Sequence, residues 1–520
     1  MNRFFARYFL LIFPAAFAAG AWAQSQPARH VEPASSHTTS HASPVAPIPQ
    51  HLFGAIPLST RSEEARKSLE LAWDKYENAM YDASADQARL ATHKDSQSAI
   101  AYAMISFAAR RTTPDPAALA KAKSLLSHAT PDEQLLVRWM TYIQDGNFLP
   151  AISSMNDLLK RYPRDKHVLY VTGEWLFIQQ DDDHARKLLE AALQVDPNFP
   201  AALNRLGYLY IRSGDPDPAK ALASLRRYAE VETSSSNPED SLGEVSRIAG
   251  DDRASLQHFA ASLRIDRSFL ASQEGLGDTL ALMGDFDGAR EEYDVALLMA
   301  KSPVDQMYIK EQRALVSFWE GKPAQGHKEL AAFAEEAARK KEPNGQFNIA
   351  LARAMLTAEP QSELAQLKKL AVSLERPLSG MLESDRSIAR ATVLRERARV
   401  AALQGLSSES AQVISQLEKL ATASRDLVVE ACYESARGYQ LAAQNDLQNA
   451  AEGLAADPHS PLTLQQLAIA QEKLGNAAAA EATRTRLKYQ RAPTVEWFLV
   501  TRPNTRQPTN KATKVGSAAN

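Results

Sequence analysis

Cysteine is nearly absent: Cys432 is the one thiol in 520 residues. That excludes an intramolecular disulfide framework and any zinc site built on several thiolates. Neither sign of charge prevails, with 59 Lys and Arg against 62 Asp and Glu. Without a basic excess, nucleic acid is not an expected partner. No apolar run reaches the roughly 20 residues that a membrane-spanning helix needs. What is plentiful is apolar side chain, 45% of the sequence, enough for about three domains or one long repeat array.

The first residues read as an address. Arg3 and Arg7 precede an apolar run of about a dozen residues interrupted by Pro14, and Ala21-Trp22-Ala23 follows as a small-x-small site. Residues 1–23 are therefore expected to be a signal peptide cut near Ala23-Gln24, leaving a periplasmic or secreted protein with no transmembrane segment. An uncleaved anchor is the alternative. Residues 24–50, rich in Ser, Pro, Ala and His, cannot bury enough surface to offset their ordering entropy and read as a disordered linker. Their histidines, His30, His37 and His41, lack metal-ligand spacing. Residues 501–520 read as a disordered tail.

Between these ends runs a period of 34. Gly173 and Gly207 lie 34 apart, as do Gly243 and Gly277. Gly250 and Gly284 repeat the interval, and Gly146, Gln180 and Gly214 form another series. Pro163 and Pro197 form a third. One unit carries Leu276-Gly277, Leu280, Gly284, Ala289, Tyr293 and Ala296. Another carries Leu203, Leu206-Gly207, Tyr210 and Gly214, with a turn two residues longer that moves the next landmarks to Ala221, Leu225 and Tyr228. Small residues belong where two helices cross, and proline ends a helix because it lacks an N–H and disfavours helical geometry before it.

These landmarks resemble the tetratricopeptide repeat, a pair of antiparallel helices. The resemblance implies an all-α, right-handed solenoid of about ten helix pairs, because a lone pair cannot bury its apolar face and must stack. Register is sustained over 132–301. It is degenerate over 51–131 and 302–426, where Gly321 falls 37 after Gly284, and returns over 427–500. The apolar segment 495–500 is expected to cap the last helix, with a partner-binding strand as the alternative.

Catalytic signatures are missing. No His-Glu-x-x-His, Gly-x-Ser-x-Gly or phosphate-cradling loop occurs, and Gly321-Lys322 is followed by Pro323. Gly275-x-Gly277 begins like a dinucleotide fingerprint, but Leu280 stands where the third glycine belongs. Cys432 reads as a buried core thiol, and Asp181-Asp182-Asp183 as a solvated capping turn. No catalytic residue, cofactor or metal is expected.

The family resemblance further implies that the first helix of each pair lines a concave groove. Carried over, its groove positions are Tyr170, Glu174 and Phe177; Asn204, Tyr208 and Ile211, with Arg212 beside them; Asp240, Glu244 and Arg247; and Glu274 and Asp278. Such a groove would hold a protein or peptide segment, its positive charges toward Glu244, Glu274 and Asp278. Ordinary solvated helix faces are the alternative. One subfamily clamps a chaperone's C-terminal carboxylate with Lys and Asn on these stripes. Here Tyr170, Asn204, Asp240 and Glu274 stand at the leading positions, which argues against such a clamp. The expected function is a non-enzymatic interaction scaffold at the bacterial envelope. The alternatives are a glycan- or peptide-processing enzyme with its site in 344–420, and self-association through an uncapped end.

Overall fold

The computed structural model describes residues 55–110 and 114–502. The segments expected to be a signal peptide and a linker, and nearly all of the expected tail, lie outside the described residues. The described residues form helices joined by turns, with no strand.

The helices pair in chain order. The first three pairs are α1 (Glu63–Glu77) with α2 (Tyr81–Lys94), α3 (Ala99–Ala109) with α4 (Pro116–Ser124), and α5 (Pro131–Gln144) with α6 (Phe148–Arg161). Next come α7 (Lys166–Ile178) with α8 (Asp182–Val195), α9 (Pro200–Arg212) with α10 (Pro218–Val231), and α11 (Asn237–Ala249) with α12 (Asp252–Ile265). Then α13 (Leu270–Met283) pairs with α14 (Phe286–Met299), α15 (Pro303–Trp319) with α16 (Pro323–Lys340), and α17 (Pro343–Met355) with α18 (Pro360–Ser373). The last pairs are α19 (Glu383–Leu403) with α20 (Ser407–Ser424), α21 (Leu427–Ala443) with α22 (Leu447–Ala455), and α23 (Pro461–Lys473) with α24 (Ala477–Lys488). A single helix, α25 (Val495–Thr501), follows. It is a helix rather than a strand, and it packs on α23.

Twelve pairs stand in the array expected to hold about ten, and the units of 302–426 are the longest, with first helices starting at Pro303, Pro343, Glu383 and Leu427. The physical origin of the pairing is local. Gly207 sits so close to the second helix of its pair that a Cβ would lie 2.5 Å from Leu225 Cγ; at Gly277 the corresponding distance to Tyr293 is 2.8 Å. Opposite these glycines, Ala221, Leu225, Ala289, Tyr293 and Ala296 are fully buried. Asp217, Asp251 and Asp285 cap the second helices of three successive pairs, each accepting a backbone N–H from the first turn. Gly250 and Gly284 end first helices in the left-handed conformation, and Gln180 adopts the same φ without being glycine. Gly214 does not. The longer turn there closes through Ser213 instead, and Asp217 N–H bonds back to Tyr210 O at 2.8 Å.

The stack coils on itself. The Leu427 amide at the start of α21 donates to Gln179 Oε1 in the turn before α8, 3.1 Å away and 248 residues apart. Arg491, just before α25, reaches the turn between α11 and α12, donating to Asp252 Oδ2 at 2.9 Å and to the Arg247 carbonyl at 2.8 Å. Gly146, in the turn after α5, lies against Glu383 and Ser384 at the start of α19. Each contact joins a pair to one about seven units further on, where the next turn of the coil begins. Shorter skips cross the axis: His167 Nδ1 of the fourth pair lies 2.7 Å from Glu77 of the first, and Arg395 of the tenth pair donates to Glu496 of α25 at 2.7 Å. With about seven pairs per turn, units three apart face each other, so the interior is narrow.

Candidate functional site

The residues carried over as groove-lining all lie on first helices. Eleven of the twelve are buried, and Asn204 is half-buried. Neither an accessible groove nor a solvated face, the two expected settings, describes these buried residues. Facing helices, the first pair and the C-terminal arm cover the stripe.

On α7, the Tyr170 hydroxyl points to the Glu77 carbonyl at 3.5 Å, and Glu174 Oε1 accepts from Arg205 Nη2 at 2.9 Å. Phe177 lies beneath the Arg212 guanidinium, 3.5 Å from the ring centroid. On α9, Tyr208 donates to Glu244 Oε2 at 3.0 Å, while Ile211 belongs to the apolar core of these pairs. Arg212 donates to the Phe177 carbonyl at 2.7 Å and, through Nε, to Asp182 at 3.1 Å. On α11, Asp240 accepts from Ser272 at 2.7 Å, and Arg247 lies 3.7 Å from Glu244 and donates to the Arg491 carbonyl at 3.4 Å. On α13, Asp278 accepts from Tyr293 at 2.7 Å, and Glu274 is buried.

Electrostatics follows from this packing. Burial brings Arg212 down to about 10 even though Asp182 opposes the shift. Burial likewise pushes His459 down to about 4, so it is neutral at pH 7; it stands 3.4 Å from Asp182. Burial raises the phenol of Tyr208 well above its ordinary range, and the neighbouring Glu244 adds to the effect. On α15, burial alone pushes Glu311 up to about 8. Asp182, read as part of a solvated turn, is thereby corrected: it links Arg212 to His459 of the C-terminal arm, whereas Asp181 caps α8.

The stretch 344–420 holds buried carboxylates, but they are paired. Glu396 lies 2.7 Å from Arg399 and 3.1 Å from Arg395, and Glu363 lies 3.4 Å from Arg399. Burial would raise Glu396, yet the two guanidinium groups outweigh it and hold the carboxyl below its usual value. A carboxylate held ionised between two arginines has no proton to donate at neutral pH and accepts one poorly. Cys432 is buried, and that burial pushes its thiol up. Among the described residues, no group of three or more His, Cys, Asp or Glu is placed to hold a metal ion.

Sequence reasoning missed the partners that fill the interior: Glu77 and His167, Asp182 and His459, Asp252 and Arg491, and Arg395 with Asp457 and Glu496. One signal was present. The seam contacts are 239 to 248 residues apart, close to seven units of 34. The number of units per turn, however, is set by packing angles that no single residue encodes.

Residues 176–232 match the family described as Tetratricopeptide repeat. The helix pairs of the described residues form a solenoid of the kind such repeats build. A stretch of 162 residues, 29% of this chain, is 26% identical to human Tetratricopeptide repeat protein 7B and spans 19% of that protein's length. Among solved structures, a tetratricopeptide repeat protein from Parabacteroides merdae is 16% identical, covering 51% of this chain and 98% of that one with a TM-score of 0.37. Yeast Tom70 is 14% identical, covering 81% of this chain and 96% of its own with a TM-score of 0.39.

Proposed function

We propose that the chain is a non-enzymatic protein-interaction scaffold of the bacterial envelope, exported through residues 1–23. It captures a partner segment along the first helices of pairs four to seven once the coil opens. The observation that carries this reading is the polar character of the seam over those helices. Gln179 to Leu427 and Arg491 to Asp252 are hydrogen bonds and ion pairs at partly exposed positions. Contacts of this kind contribute little net stability each. Beside them the seam holds the buried contact of Asp182 with His459 and Tyr489 packed on the core of these pairs. Opening it would separate the coil without unfolding its helix pairs. Opening would uncover Glu244, Glu274 and Asp278, which favour a partner with positive charges.

The test combines Arg491→Glu with crosslinking in the native envelope and mass spectrometry of what is captured. The variant is expected to raise the radius of gyration in X-ray scattering, keep its helix content and capture more of the same partner. An opened coil that captures no more than the closed one overturns the groove reading. Recovery of the chain from the cytoplasm with residues 1–23 intact overturns the export reading.

A further inference from the structure

The C-terminal arm meets the fourth pair through a histidine. His459 stands in the turn before α23, 2% exposed, and its Nε2 lies 3.4 Å from Asp182 Oδ2 at the start of α8. The turn itself is held by the arm. Asp457 accepts from Arg395 Nη1 at 2.8 Å, Ser460 donates to Glu496 Oε2 at 2.8 Å, and Arg486 of α24 reaches the Pro458 carbonyl at 3.4 Å. On the other side Asp182 is fixed to α9, where Arg212 Nε donates to it at 3.1 Å. The His459 ring therefore belongs to the arm and its carboxylate to pair four, and closing the seam brings the two together.

Counting charges shows what a proton does here. The groups that face the ring from the elements packed around it are Asp182 of α8, Arg212 of α9 and Arg486 of α24; in its own turn, Asp457 pairs with Arg395. Two guanidinium groups thus share one carboxylate beside a neutral imidazole. A proton on His459 places a third cation against the same carboxylate, next to an Arg212 that is itself 2% exposed. Withdrawing the arm relieves that repulsion, because the ring then reaches water. Burial, opposed by Asp182 and aided by the two arginines, brings the ring down to about 4, whereas an exposed histidine titrates near about 6.5. The open seam therefore binds a proton that the closed seam rejects, so closure is favoured above that exposed value and weakens as pH falls toward the closed one. At the far end of the seam, burial raises Asp426 to about 6, and its titration acts with the opposite sign.

We propose that His459 is a proton-operated latch: at neutral pH the uncharged ring lets the C-terminal arm close on pair four, and in mild acid the imidazolium releases it. The latch supplies the opening on which the proposed capture of a partner rests. It is read from the seam itself, so either reading can fail without the other.

The seam carries its own reporter. The Leu427 amide, in the first turn of α21, has no acceptor within its helix and donates across the seam to Gln179 Oε1 at 3.1 Å. Its hydrogen exchange in the full chain, corrected for the intrinsic effect of pH, is followed from pH 7.5 to pH 5 in the parent and in His459→Gln, which keeps Asp426. Protection in the parent relative to the variant is expected to fall roughly 25-fold, the factor that follows from a ring at about 4 closed and about 6.5 open. His459→Lys, a permanent cation, should open the seam already at pH 7.5 and raise the radius of gyration in X-ray scattering with helix content kept. Should His459→Lys lose helix content, the ratio of parent to His459→Gln decides alone. A ratio that stays constant with pH overturns the proposal, as does a His459 ring that titrates near about 6.5 by NMR while the Leu427 amide stays protected. Opening and capture in Arg491→Glu would stand in either case.

Discussion

The regular pairs of 132–301 and the slipped ones of 302–426 solve the same packing problem in different ways. In the regular region four successive pairs close through a glycine on the first helix, Gly173, Gly207, Gly243 and Gly277, as Gly207 does over Leu225. Its interior carboxylates meet cations or hydroxyls from adjacent units: Glu174 meets Arg205, and Glu244 meets Tyr208. In the slipped region the helices lengthen, to 17 residues in α15 and 21 in α19, and the interior charges concentrate around Arg395. That side chain donates to Asp457 at 2.8 Å and to Glu496 at 2.7 Å, tying together pairs that are not neighbours. The regular region adds long-range contacts of its own, His167 to Glu77 and Asp182 to His459, to its unit-by-unit packing. In the slipped region the buried ion pairs gather around one side chain, and an aromatic cleft opens beside α25.

The comparison breaks most sharply at Arg395. Arg395→Ala leaves Asp457 and Glu496 buried without their cation, an arrangement that costs about 3–5 kcal/mol. Hydrogen exchange should show α19 and α25 losing protection while α7 through α14 keep theirs, since neighbours in a repeat array couple mainly to each other. Equal loss in both regions would erase the distinction drawn between them.

Glu311 gives the next effect. Burial raises its carboxyl to about 8, so between the ordinary carboxylate range and pH 8 the folded chain binds more protons than the unfolded one. Stability contributed by this group is therefore present at low pH and lost as pH rises through 8. Glu311→Gln should match the parent in urea denaturation at pH 4.5 and exceed it at pH 9 by on the order of 2–4 kcal/mol. A constant difference across that range would mean that the carboxyl is not held protonated.

Gly207→Val sharpens the other side. It adds bulk where a Cβ already lies 2.5 Å from Leu225, and overpacking of this kind costs about 1–3 kcal/mol. Exchange should rise in α9 and α10 first. Should α19 respond as strongly, the regular region is not stabilised unit by unit.

The pairs themselves were legible because their causes are local. Gly173, Gly207, Gly243 and Gly277 mark the crossings, Pro163 and Pro197 the exits, and Tyr293 and Tyr228 the filled gaps between helices. The twelve candidate residues lie on first helices. Their accessibility was not legible, because it depends on what faces them across the coil. Tyr170 is covered by the first pair, nearly a hundred residues away, and Arg247 by Arg491.

Spacing of small, aromatic and proline residues along the chain determined an array of paired helices, since each landmark acts on its neighbours within one unit. The tertiary structure decided how tightly that array winds. Small rotations between successive pairs add over about seven units into a full turn, and that accumulated angle closed the axis, buried the stripe and opened the aromatic cleft beside α25.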